Sequence, residues 1–225
     1  MEKMGFILIF LWVKLMSEKI TLMYVDDRRD IELSHFLDSD EVKNEISRSF
    51  SNLKDSISFC VIEYHFSKDD NLESLVKEIK EKRANIVLID SKLYEDSDVQ
   101  YKISGEVIKI FIKHYFPYVE VIVISSKEID ENCMTLRKSD KTLPLEIAQE
   151  YKETLLPKIV ESIHSIHENQ FINELMVENQ VFEKFVSDRI TASIDFNDDY
   201  SSLKKEDIDE LIKAFKDVQR KIDEL

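Results

Sequence analysis

The chain has 225 residues, 43% of them apolar and 10% aromatic, enough for a proper core and too many for global disorder. Its 31 basic and 46 acidic residues leave a formal charge of −15 with no dense Lys/Arg run, which argues against nucleic-acid binding. Two glycines and three prolines disfavour β-sandwiches and glycine-rich phosphate loops, and favour long helices.

The first thirteen residues, MEKMGFILIFLWV, have the charged start and apolar middle of an export signal. The run is broken by Lys14, is shorter than the roughly 20 residues a membrane helix needs, and meets no small-residue cleavage site. Stable membrane insertion is therefore not expected. Three readings of residues 1–15 stay open: a dispensable extension ahead of a start at Met16, a packed or interfacial segment, or an export signal. Cys60 and Cys133 lack metal or redox spacing and read as reduced, buried thiols, which points to the cytoplasm.

From there the order is strand, helix, strand, helix, strand, helix, strand. Residues 21–26 form the first strand, followed by a helix from Asp30 to about Lys54, with Ile31, Phe36, Leu37, Val42, Ile46, Phe50 and Leu53 at helical spacing. Residues 56–64 read as a β-branched and aromatic strand. Asp70 caps a helix through Lys82, and 85–90 is the third strand. A polar loop over 91–104 leads to a helix from Gly105 to about Tyr115, stopped by Phe116-Pro117 before a strand at 119–124. This alternation predicts a doubly wound parallel sheet. A short strand at 133–137 follows.

From Leu145 only helix signals remain. Leu155, Leu156, Ile159, Val160, Ile163 and Ile166, then Phe171, Ile172, Leu175 and Met176, trace one amphipathic stripe, with Pro157 expected to interrupt it or start a turn. Further helices are read over 181–192 and 206–222, with an acidic loop between them. The division is residues 1–18 as an N-terminal apolar extension, 19–142 as the α/β domain, and 143–225 as an all-α region. From Leu145 on, that region carries 10 basic and 19 acidic residues, net −9, which argues against a DNA-reading output domain.

The chemistry gathers at the strand ends. The apolar run 21–25 stops at Asp26-Asp27, 84–89 stops at Asp90, and 118–124 stops at Ser125-Ser126. In a parallel α/β sheet these ends share one edge, where such folds place their sites. Three carboxylates and a hydroxyl there make a pocket for a hard cation beside a nucleophilic aspartate. A plainer reading makes Asp27 a helix N-terminal acid and Asp90 a capping carboxylate.

Over about residues 19–140 this set resembles the response-regulator receiver family. Asp26 and Asp27 stand where that family has its acidic pair, and Asp90, in Ile-Val-Leu-Ile-Asp-Ser-Lys-Leu, where it has the phosphorylated aspartate. Leu93 matches the apolar position three residues on. Gly105-Glu-Val-Ile-Lys resembles the opening of the third helix, and the segment from Phe116 to Ser126 the fourth strand with its terminal hydroxyl. Tyr94 stands where the family usually has proline.

The resemblance implies a flavodoxin-like receiver fold followed by an all-α extension, with Mg2+ held by Asp26, Asp27 and Asp90. It implies Asp90 as phosphoacceptor, Ser125 as the hydroxyl touching the phosphate, and a lysine on the phosphoryl oxygens. Lys138, after the strand at 133–137, is the first choice for that lysine, with Lys127 and Lys141 as alternatives. It further implies a two-component phosphorelay, a histidine kinase or phosphotransfer protein as donor, and output by protein contact. A receiver transfers phosphate only onto itself, so turnover as an enzyme is not expected. The alternatives are a magnesium-dependent phosphatase or hydrolase, or a receiver-like adaptor that is never phosphorylated. The apolar stripe also suggests a homodimer.

Two weaker patterns complete the reading. Asp195, Asn197, Asp199 and Glu206 have calcium-loop spacing, but Tyr200 occupies the position that wants glycine, and an acidic turn explains them better. Glu161, His164 and His167 lie one helical turn apart and read as a solvated helix face.

Overall fold

Strict alternation along the first strand sorts the core into two layers. The computed structural model describes residues 18–51, 57–67, 69–93, 103–126, 135–178 and 184–196. The chain begins β1 (Glu18–Asp26), α1 (Ile31–Leu37), α2 (Asp40–Ser49), β2 (Ile57–His65), α3 (Leu72–Lys82) and β3 (Ile86–Asp90). It continues β4 (Lys92–Leu93), β5 (Ile103–Ser104), α4 (Gly105–Tyr115), β6 (Glu120–Ser125), β7 (Thr135–Arg137), α5 (Pro144–Glu178) and α6 (Lys184–Ile194).

Five strands form a parallel sheet in the order β2-β1-β3-β6-β7. Ile20, Leu22 and Tyr24 face α1, α2 and α5, while Met23 and Val25 face α3 and α4. Both faces are covered, so β3 is buried along its whole length and reads as an unbroken apolar run. This is the doubly wound α/β fold with flavodoxin-like strand order, as expected.

Local chemistry sets the helix starts. Side chains of Asp30, Ser39, Asn71 and Ser104 each accept the backbone N–H three residues on, satisfying a donor the helix leaves open. These caps correct two expectations. The helix expected from Asp30 to Lys54 is two helices, because Ser39 caps a new start directly after α1 closes at Asp38. Asn71, not Asp70, caps α3; Asp70 instead accepts from the Tyr64 hydroxyl at 2.8 Å and from the Ser67 N–H and hydroxyl, both at 2.8 Å.

Three further differences have simple causes. The stretch read as a polar loop carries an antiparallel pair, Leu93 opposite Ile103, two apolar residues that find each other. Cys60 is half-buried rather than enclosed, because β2 is the edge strand; its Sγ lies 3.3 Å from the Thr21 hydroxyl. Pro157 neither interrupts nor starts α5. It lies on the exposed side, where water can serve the carbonyl its missing N–H leaves open.

At 35 residues, α5 is about 52 Å long. Ile147, Tyr151, Leu155, Leu156, Ile159, Ile163 and Ile166 are packed into the sheet's core. Beyond Ile166 the stripe leaves the sheet, and Phe171, Ile172, Leu175 and Val177 are exposed. Asn173 reaches α6 through the Thr191 hydroxyl at 3.3 Å. No helix among the described residues is long and apolar enough to cross a membrane. The N-terminal apolar run, Tyr94, Lys127, Cys133, the calcium-like loop from Asn197 and the helix read over 206–222 lie outside the described residues.

Candidate functional site

β1 and β3 are hydrogen-bonded neighbours running the same way, so Asp26 and Asp90 end side by side. The chain leaves β1 for β2 on one side and returns to β3 on the other, which makes this the sheet's switch point. Alternation puts both acids on the face of Tyr24 and Leu88, and both are buried, at 6% and 8% exposure.

A cation meets them from two strands away. β7 pairs with β6, and the Lys138 N–H donates to the Ser125 carbonyl at 2.6 Å, fixing the residue just past the strand. Its Nζ lies 3.0 Å from Asp26 Oδ2 and is ion-paired with Asp90 Oδ2. Burial alone would lower the Lys138 pKa; the carboxylates of Asp26 and Asp90 outweigh it and leave a net rise. The ammonium stays charged at any ordinary pH.

Nearby donors also serve both carboxylates. Asp26 Oδ1 accepts from the Arg28 N–H at 3.0 Å, and Asp90 Oδ1 from the Lys92 N–H at 2.8 Å. The Tyr24 hydroxyl donates to Asp26 Oδ2. Burial first, and Asp26 second, hold the Tyr24 pKa far above its usual value. Gly105 closes the floor. Its N–H donates to the Ser91 carbonyl at 3.0 Å, and a Cβ there would come 2.8 Å from the Asp90 carbonyl and 2.9 Å from Val123 Cγ1. Only glycine lets α4 press this closely on the Asp90 backbone.

The loop bearing Lys138 is tied to α5 by the next residue. The Ser139 hydroxyl donates to Glu150 Oε2 at 2.5 Å, and its N–H to the Tyr151 hydroxyl at 3.3 Å. Tyr151 is buried with its ring 5.5 Å from Phe36. Burial pushes its pKa up to about 12, although the Ser139 N–H works the other way.

Of the residues singled out from sequence, Asp26, Asp90 and Lys138 are brought together. Lys141 is exposed and sits 4.0 Å from Asp140, away from the acids. Ser125 is buried at the end of β6, on the strand next to Asp90. Asp27 is half-buried just past β1, and among the described residues no three His, Cys, Asp or Glu side chains group to hold a metal ion. Two carboxylates nevertheless converge on one cationic centre. Mg2+ needs only one or two carboxylates when it keeps its waters, so this donor set suits it, with the ammonium in the stand-in position. His164 is exposed and packs on Phe50 with ring centroids 4.4 Å apart and the planes tilted by 44°.

Tyr24, Ser139 and Tyr151 also serve the site and are not singled out by the sequence. Tyr24 had a signal: it lies two residues before Asp26, on the same side of the strand. Ser139 and Tyr151 had none, because their meeting depends on where α5 lies.

The strand order and the parallel register define a flavodoxin-like doubly wound α/β domain with two acids at its switch point and a long C-terminal helix. No family model and no curated protein matches the chain. Among solved structures it is similar to a two component transcriptional regulator AraC from Clostridium phytofermentans ISDg, at 15% identity and a TM-score of 0.35, covering 67% of this chain and 97% of that one. A score that low bears on neither fold nor function, and the fold assignment stands on the sheet itself.

Proposed function

We propose that the chain is a response-regulator-like signalling switch in which Asp90 accepts a phosphoryl group and Lys138 receives its charge. One observation carries this reading: the Lys138 ammonium, brought in by β7, pairs at once with Asp26 and Asp90 at the sheet's switch point. A structural ion pair needs one acid. Two buried acids sharing one lysine make a place where arriving negative charge changes the partners.

In the proposed step an Asp90 carboxylate oxygen forms a bond to the donor's phosphorus. The bond from phosphorus to the leaving group breaks, and its electron pair departs with that group, an imidazole of a histidine kinase or phosphotransfer protein. Lys138 then follows the new negative charge, and Ser125, on the neighbouring strand, supplies a hydroxyl. Mg2+, held by Asp26 and Asp90 with Asp27 beside them, would neutralise charge on the transferred group. Because Ser139 is bonded to α5, movement of Lys138 pulls on the helix that opens the output region. We assign output to protein contact through residues 143–225, self-association included, and not to nucleic acid. The proposed setting is the cytoplasm.

The test is intact mass of the full chain after incubation with acetyl phosphate and Mg2+. The expected result is one added phosphoryl group, absent in Asp90→Asn. No Asp90-dependent gain would leave the second reading, an adaptor that is never phosphorylated. That reading is favoured by the carboxylates being already satisfied by Lys138 and three local donors.

A further inference from the structure

Among the described residues, Tyr24 is the one side chain other than Lys138 that bonds to Asp26, and it does so from inside the core. Its ring is 2% exposed and belongs to the layer of Ile20, Leu22 and Leu88, packed against α1, α2 and α5. A ring so enclosed has no second place to put its hydroxyl. A carboxylate is acceptor only, so the phenol donates. Among the described residues, three donors thus meet Asp26: the Arg28 N–H on Oδ1, and Tyr24 and Lys138 on Oδ2. Two are fixed by β1 and the turn after it. The third rides on a flexible stem and is the one that can leave.

We infer that Tyr24 is a positioning residue for a divalent cation at Asp26 and Asp90, holding the Asp26 carboxylate in the orientation that faces the cation when the Lys138 ammonium withdraws. The inference rests on the reading of those two acids as hard-cation ligands. Its physical basis is that a ligating carboxylate bound to one metal through one oxygen pivots freely unless other groups fix it. Loss of such an outer partner typically weakens metal binding about 10- to 100-fold. The competing explanation is that Tyr24 only satisfies a buried acid, in which case its removal lowers stability and leaves cation affinity alone.

Isothermal titration of the full chain with Mn2+ alone separates these. Asp90→Asn establishes which binding belongs to this site. Tyr24→Phe keeps the ring and removes one oxygen; its Kd should rise about tenfold or more. Tyr64→Phe, which removes a tyrosine hydroxyl bonded to a different carboxylate, Asp70, should leave the Kd unchanged. Equal affinity for Tyr24→Phe and the unsubstituted chain would overturn the inference and leave the cation reading standing. No Asp90-dependent binding by the unsubstituted chain would overturn both. A measurement that needs no variant covers the case in which Tyr24→Phe does not fold. In the chain labelled with tyrosine carrying 13C at Cζ, the Tyr24 resonance should shift on saturation with Mg2+, and a resonance that stays still would contradict the inference.

Discussion

The two halves of α5 carry the same apolar spacing and meet opposite fates. From Ile147 to Ile166 the stripe is sealed against the sheet and joined through Ser139 to the loop of Lys138; from Phe171 to Val177 it stands exposed. Periodicity says that a helix has an apolar side. It does not say whether this chain or another molecule covers it. The first half is the fifth helix of the doubly wound fold; the second meets α6 through Asn173 and leaves its apolar stripe in the open. The boundary expected at residues 142/143 thus falls at the start of a helix whose first half packs on the sheet.

The largest contrast should come from deleting core volume. Ile159→Ala should cost about 2–5 kcal/mol in urea denaturation, because the sheet side cannot collapse around the lost atoms. A cost below about 1 kcal/mol would show that the first half is not sealed.

Next is a pH effect to which the sealed half contributes through Tyr151. The Tyr151 pKa rises from 10.0 to about 12 in the fold, so the protonated phenol is the form the fold favours. Its stabilising contribution is complete below pH 10 and is lost as pH climbs towards 12, about 2–3 kcal/mol in all. Chemical denaturation across that window should show the loss, and Tyr151→Phe should remove that part of the slope. An unchanged slope would mean that Tyr151 is not enclosed in solution.

The smallest effect belongs to the projecting half. Phe171→Ser, at a site 54% exposed, should cost only about 1 kcal/mol. If it costs as much as Ile159→Ala, another part of the chain covers that face.

Sheet and site differ in how much of them could be read in advance. β1, β3 and β6 were legible as apolar runs because a sheet covered on both faces demands them, and each run stopped at its oxygen-bearing residue. Lys138 could be ranked above Lys127 and Lys141 only by assuming a strand just before it; its approach to Asp26 depends on β7 pairing with β6, a long-range fact. The break at Ser39 and the cap at Asn71 were missed because capping is decided by one side chain's reach, which periodicity does not register. Pro157 misled because its cost depends on which side of the helix it occupies.

The central claim is that Asp90 is a phosphoacceptor served by Lys138. Fluorine-19 NMR of the full chain with Mg2+ and beryllofluoride, which mimics a phosphoryl group on a carboxylate, tests it most directly. The expected result is bound fluorine resonances in slow exchange, absent in Asp90→Asn and weakened in Lys138→Met. Only free beryllofluoride signals, or bound signals that survive Asp90→Asn, would contradict it.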